Sequence, residues 1–169
     1  MKPTLAFLVL VFTTIAYCQD AFVFNENGIT PGHIISKVDS APKAALYSKT
    51  LQWIKNTDAV VDVYAENDFI QLIGTTTNAI NEGKRYFHMK YVIKISFENE
   101  TYKFELLEIQ LKANSKYDMG WMDFNLKDGS PFFKKGKVIK KLRSYVIDIP
   151  KILNELNTNL YNHLIAEED

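Results

Sequence analysis

The strongest constraint on this chain is the run 86–97, in which Phe87, Met89, Tyr91, Ile93, Ile95 and Phe97 alternate with His88, Lys90, Lys94 and Ser96. Side chains of a strand point to opposite faces in turn. A period of two sustained this long therefore means a β-strand with one face buried and the other wet. Such a strand needs partners in an antiparallel sheet and a second layer to cover its apolar side.

The partners are legible on both sides. Residues 59–65 are rich in β-branched side chains, 66–68 supply a turn, and 69–77 carry the chain back. After a reversal at 98–100, Tyr102, Phe104 and Leu106 share one parity, while Leu107, Ile109 and Leu111 share the other. An extra residue near Leu106 and Leu107, a β-bulge, would return all six to the core face. Upstream, Asn27-Gly28 and Pro31-Gly32 are turn signals, and Ile34 and Ile35 begin an edge strand ending near Val38.

Two helices are expected as the covering layer. Ser40-Ala41-Pro42 reads as a helix start with Ser40 as the capping hydroxyl, and Ala44, Tyr47, Leu51 and Ile54 then recur at helical spacing with Trp53 beside them. Asp148 ahead of Ile149-Pro150 marks the second start. Ile152, Leu153, Leu156, Leu160, Leu164 and Ile165 form its apolar stripe, with Asn154, Glu155, Asn157, Thr158 and Asn162 on the polar side. The expected fold is α+β: a curved antiparallel sheet packed on one face by two helices, in the order β-α-β-β-β-β-α.

Ahead of this unit stands a segment of another kind. Lys2 is followed by an uncharged stretch over 5–17, too short to span a bilayer but of the length of a secretory core. Ala16 and Cys18 occupy the −3 and −1 positions before Gln19. The expected organisation is a signal peptide over 1–18, an N-terminal segment over 19–36 and one domain over 37–169. The chain is thus expected to be exported, periplasmic or secreted, with no transmembrane helix after cleavage. The alternative is a lipid anchor on Cys18, although bulky Tyr17 stands where a lipoprotein motif has a small residue.

Composition removes further classes. Twenty basic groups balance twenty acidic ones, so no overall field draws the chain to nucleic acid. Cys18 is the one cysteine, which leaves no internal disulfide and no zinc cluster. The sequence has no Gly-rich phosphate loop, nucleophile elbow or zinc-helix motif. His33, His88 and His163 lack metal-ligand spacing, and His88 and His163 read as surface positions. No catalytic residue, metal site or cofactor is therefore expected.

Two segments stand out. Residues 113–136 form a connection longer than ordinary loops, yet rich in Tyr117, Met119, Trp121, Met122, Phe124, Phe132 and Phe133. These side chains either close the sheet, or Tyr117, Trp121 and Phe132 line a groove for a ligand. Residues 134–143 then carry six basic groups. This run reads either as a solvated strand or turn or as a patch for phosphate-rich partners or anionic headgroups.

The stretch Ala45-Leu46-Tyr47-Ser48-Lys49 through Trp53-Ile54, with the strand 86–97 and its returning partner, resembles the domain-of-unknown-function 4468 family. The resemblance covers roughly residues 37–112. It implies an exported bacterial protein with a TATA-binding-protein-like fold, and it brings no assigned activity and no catalytic residues. The expected function is a non-enzymatic binding module of the cell envelope, engaging an envelope protein or a small ligand. The alternatives are a carboxylate-dependent hydrolase acting on envelope carbohydrate or peptide, and a lipid-anchored structural component.

Overall fold

The structure, a computed structural model, describes residues 20–66, 68–117 and 119–166. The expected signal peptide, its cleavage site and Cys18 lie outside the described residues. The hairpin β1 (Val23–Asn25) and β2 (Gly28–Thr30) comes first, followed by β3 (His33–Lys37) and helix α1 (Lys43–Lys55). Strands β4 (Val60–Glu66), β5 (Phe69–Glu82), β6 (Arg85–Glu98) and β7 (Thr101–Ala113) form a meander. Then come β8 (Met122–Asp123), the short hairpin β9 (Phe133–Lys134) and β10 (Lys137–Val138), and helix α2 (Arg143–Ile165).

The main sheet runs β3-β7-β6-β5-β4 with antiparallel pairing throughout, and β8 adds to β7 beyond the end of β3. Helix α1 connects one edge strand, β3, to the other, β4. Both helices lie on one face of the sheet. The expected α+β architecture and element order hold, with the small hairpins as additions.

The alternation that predicts β6 is also what builds the core. Phe87, Met89, Tyr91, Ile93, Ile95 and Phe97 are all buried under the helices. Burying each aliphatic side chain contributes about 1.5–3 kcal/mol. Gly74 on β5 sits opposite Tyr91, and a Cβ there would come within 2.3 Å of the tyrosine ring. The N-terminal segment joins the same core: Phe22 is buried against Phe104, and Asn154 of α2 grips it at both backbone positions. The Asn154 Oδ1 accepts from the Phe22 N–H at 2.8 Å, and its Nδ2 donates to the Phe22 carbonyl at 2.9 Å.

Several local expectations are corrected. The β7 bulge exists, since the β6–β7 register shifts between Val92 and Ile93, but Leu107 is itself the extra residue and stays 43% exposed while the other five apolar side chains are buried. The buried face of α1 centres on Leu46, Thr50, Trp53 and Ile54, whereas Ala44 is exposed. Thr50 is admitted because its hydroxyl donates to the Leu46 carbonyl one turn back, at 2.8 Å. Ser40 does not cap α1; Asn99, from the β6–β7 turn, accepts the Lys43 N–H at 3.0 Å.

Helix α2 begins at Arg143 rather than near Asp148, which puts Pro150 inside it. An interior proline costs about 3 kcal/mol. Burial of Tyr145 and Ile149, both upstream of the proline, offsets that cost. Asn157, assigned to the polar side, is buried and accepts a hydrogen bond from the Tyr102 hydroxyl at 3.0 Å.

Beyond the helices β4 is almost wholly exposed, and its free edge is protected against pairing. Its register shifts between Val60 and Asp62, and the Asp62 carboxylate accepts the Val63 N–H at 2.8 Å.

Candidate functional site: the uncovered sheet face

The face of the sheet opposite the helices carries the other parity of each strand. Register places Gln71, Lys94 and Glu105 side by side across β5, β6 and β7, and aligns Thr75, Lys90, Gln110 and Asp123 across β5 to β8. This face is wet but not uniformly polar. Lys94 Nζ stands 4.2 Å from the centroid of the Phe69 ring, and Lys90 Nζ stands 4.9 Å from that of Trp121. An ammonium held over a ring is attracted by the negative face of its π-system. Near Phe69 the surface dips into a depression of ≈ 540 Å³ lined in part by Ile35, Lys94, Ser96 and Lys103. Lys103 pairs with Glu105 at 2.9 Å. The Gln110 amide donates to Asp123 Oδ1 at 2.8 Å, and its own Oε1 is buried without a protein donor among the described residues.

The connection 113–136 divides between the two sides of the molecule. Phe132 lies among Phe24, Phe124 and Tyr145, with ring centroids at 5.1, 5.6 and 5.3 Å. Phe87 adds to the cluster through Tyr145. Burial pushes the Tyr145 phenol up to about 12. Tyr117 and Trp121 are elsewhere: Tyr117 is 67% exposed with Lys116 against its ring at 5.1 Å, and Trp121 is 37% exposed over Lys90. The three aromatic candidates therefore do not share one groove. Phe132 is packed into the plug, and Tyr117 and Trp121 remain at the surface. Lys90 and Lys94 were visible in the sequence as wet-face residues. Nothing in their spacing showed that aromatic rings come to lie against them.

Among the described residues, no group of three His, Cys, Asp or Glu side chains is placed to hold a metal ion, and no helix is long and apolar enough to cross a membrane.

A curved antiparallel sheet with both helices on one face and the other face open is an arrangement found in solved structures. A TBP-like protein from Parabacteroides distasonis superimposes with a TM-score of 0.62 at 13% identity, over 80% of this chain and 92% of that one. This chain has the TATA-binding-protein-like fold. A DUF4468 family protein from Bacteroides ovatus matches equally well, with a TM-score of 0.62 at 9% identity over 84% of this chain and 89% of that one. The resemblance read from the sequence is thus matched at the level of the TBP-like fold. No family model and no curated protein matches the sequence. At such low identity the likeness concerns architecture and carries no activity with it.

Proposed function

We propose that this TBP-like chain is an exported, non-catalytic binding module of the cell envelope that engages its ligand or partner through the uncovered sheet face. The observation that carries this reading is Trp121, a large aromatic side chain left over one third exposed on that face with a lysine against its ring. Exposed tryptophan beside a cation offers broad contact area at little conformational cost, which suits recognition. Tyr117 and Met119, in the same connection, are exposed apolar side chains as well. Export is supported by the segment 1–18, and Gln19 would then begin the mature protein.

Native mass spectrometry of the protein purified from its own envelope tests the reading, with the double variant Trp121→Ala/Tyr117→Ala as comparison. The native chain is expected to begin at Gln19 and to carry a bound species that the variant loses while melting normally. A native chain that carries nothing, or a variant that keeps the species, would refute the binding surface. A mature chain still starting at Met1 would refute export.

A further inference from the structure

The basic run 134–143 is not one surface stripe. Its first half forms the β9–β10 hairpin, where Lys135 and Gly136 turn the chain with φ of 53° and 72°. Its second half, Lys140, Lys141 and Arg143, wraps through a 3-10 turn into the start of α2. There it meets Arg85, at the turn between β5 and β6, around an open groove of ≈ 800 Å³. Glu82, Asp148 and Ile147 also line this groove.

Three features separate the groove from an ordinary solvated surface. Among the described residues, none of the four cations has a carboxylate within ion-pair distance. Asp148, the carboxylate that α2 brings to the groove, accepts the Ser144 hydroxyl, which in turn accepts the Asn81 N–H at 2.9 Å and so fastens the hairpin to the helix. Finally, the first turn of α2 holds Arg143, no acidic residue and no side-chain cap. A helix begins with a partial positive charge, so cations here are repelled and carboxylates are the stabilising choice. Three cations crowd the one place on α2 where they weaken the fold, and a bound anion would reverse the sign of that interaction.

We infer that the groove lined by Arg85, Lys140, Lys141 and Arg143 binds a ligand through phosphate groups. Two guanidinium forks, which match phosphate oxygens two at a time, stand with two lysine point charges. The groove is roomier than one phosphate requires and falls in the usual range of small-molecule sites. The exposed side chain of Ile147 offers an apolar wall to whatever carries the phosphate. The same chemistry is presented by a soluble phosphorylated compound and by a phospholipid headgroup. This site is separate from the uncovered sheet face and stands whether or not that face binds.

The test uses the full chain with two probes: inorganic pyrophosphate followed by calorimetry, and phosphatidylglycerol vesicles followed by co-sedimentation, with phosphatidylcholine vesicles as control. The variants are Lys140→Gln/Lys141→Gln/Arg143→Gln and the charge-preserving Lys140→Arg/Lys141→Arg. Saturable binding of pyrophosphate, weakened at least tenfold by the triple variant and kept by the arginine variant, establishes the site with a soluble ligand. The same pattern with phosphatidylglycerol alone establishes it with a membrane headgroup. The triple variant, without probe, is expected to melt at the same temperature as the parent or higher, because repulsion at the helix start is relieved. The inference is overturned if neither probe binds the parent, if binding ignores the triple variant, or if that variant melts lower, since the cations would then be structural.

Discussion

The connection 113–136 has an outer half around Trp121 and an inner half over 124–133, and the Trp121 ring ends on the opposite face of the sheet from those of Phe124 and Phe132. The inner half is tied down along its backbone. Ile29 N–H donates to the Leu126 carbonyl at 2.8 Å, Gly129 N–H to the Glu26 carbonyl at 3.1 Å, and Phe124 N–H to the Ile109 carbonyl at 2.9 Å. These bonds knit it to the β1–β2 hairpin and to β7, and its rings close over Tyr145. In the outer half, β8 pairs with β7 over two residues, and in a local turn Ser115 Oγ accepts the Tyr117 N–H at 3.2 Å. Aromatic content alone therefore does not decide whether a loop plugs or presents. Close backbone approach does, and it depends on glycines whose partners are distant in sequence.

That contrast can be broken most directly at Phe132. Replacing it with alanine removes the ring shared by Phe24, Phe124 and Tyr145, and a loss of about 3 kcal/mol is expected in denaturant unfolding. A loss below about 1 kcal/mol would mean the inner half is decoration rather than plug. Gly129→Ala probes the backbone side of the same contrast. A Cβ there would lie on the Asn25 carbonyl oxygen, with no flexible side chain to give way. Forcing the hairpin and the loop apart should cost about 2 kcal/mol. Gly120→Ala, in the outer half, meets no neighbouring atom within 4 Å and carries only the strain of its φ of 71°.

The inner half should also show itself in alkali. Burial raises the phenols of Tyr91 and Tyr145 to about 12 from an ordinary value of 10. Below pH 10 both folded and unfolded chains keep these protons, and the stabilising contribution is complete. Between pH 10 and 12 the unfolded chain gives them up first, so stability drains as pH rises. Urea midpoints measured across that window should fall, and Tyr145→Phe should make the fall shallower. An unchanged slope in that variant would show that Tyr145 is not held in the cluster.

How far the sequence could be read follows the range of each interaction. Period-two alternation over 86–97 is local and unambiguous, and every core residue it marks is buried. Pro150 is a strong local signal for a helix start near Asp148, whereas the burial of Tyr145 and Ile149 that carries α2 upstream of it is tertiary. Ser40 is likewise the local candidate for a cap, whereas the acceptor that serves α1, Asn99, arrives from another turn. By spacing alone Asn154 and Asn157 fall on the polar side of α2; the Phe22 backbone and the Tyr102 hydroxyl that they bond come from distant parts of the chain. At the candidate site Trp121 was visible as a residue type, but its separation from Phe132 depends on the Gly28 and Gly129 contacts. No spacing rule encodes those.

The smallest expected change in stability is at Trp121. Its replacement by alanine takes away a partly exposed ring and its contact with Lys90, and leaves the knitted inner half and the β6 core untouched. Surface changes of this sort shift unfolding by about 0.5 kcal/mol. The other Trp, Trp53, is buried in α1 and remains as a fluorescent reporter of the folded state in the variant. Thermal melting followed through Trp53 should therefore nearly superimpose on the parent, even as the surface contact is lost. A drop in stability comparable to that of Phe132→Ala would show that the outer half is also a plug, and the uncovered face would lose its claim to be a binding surface.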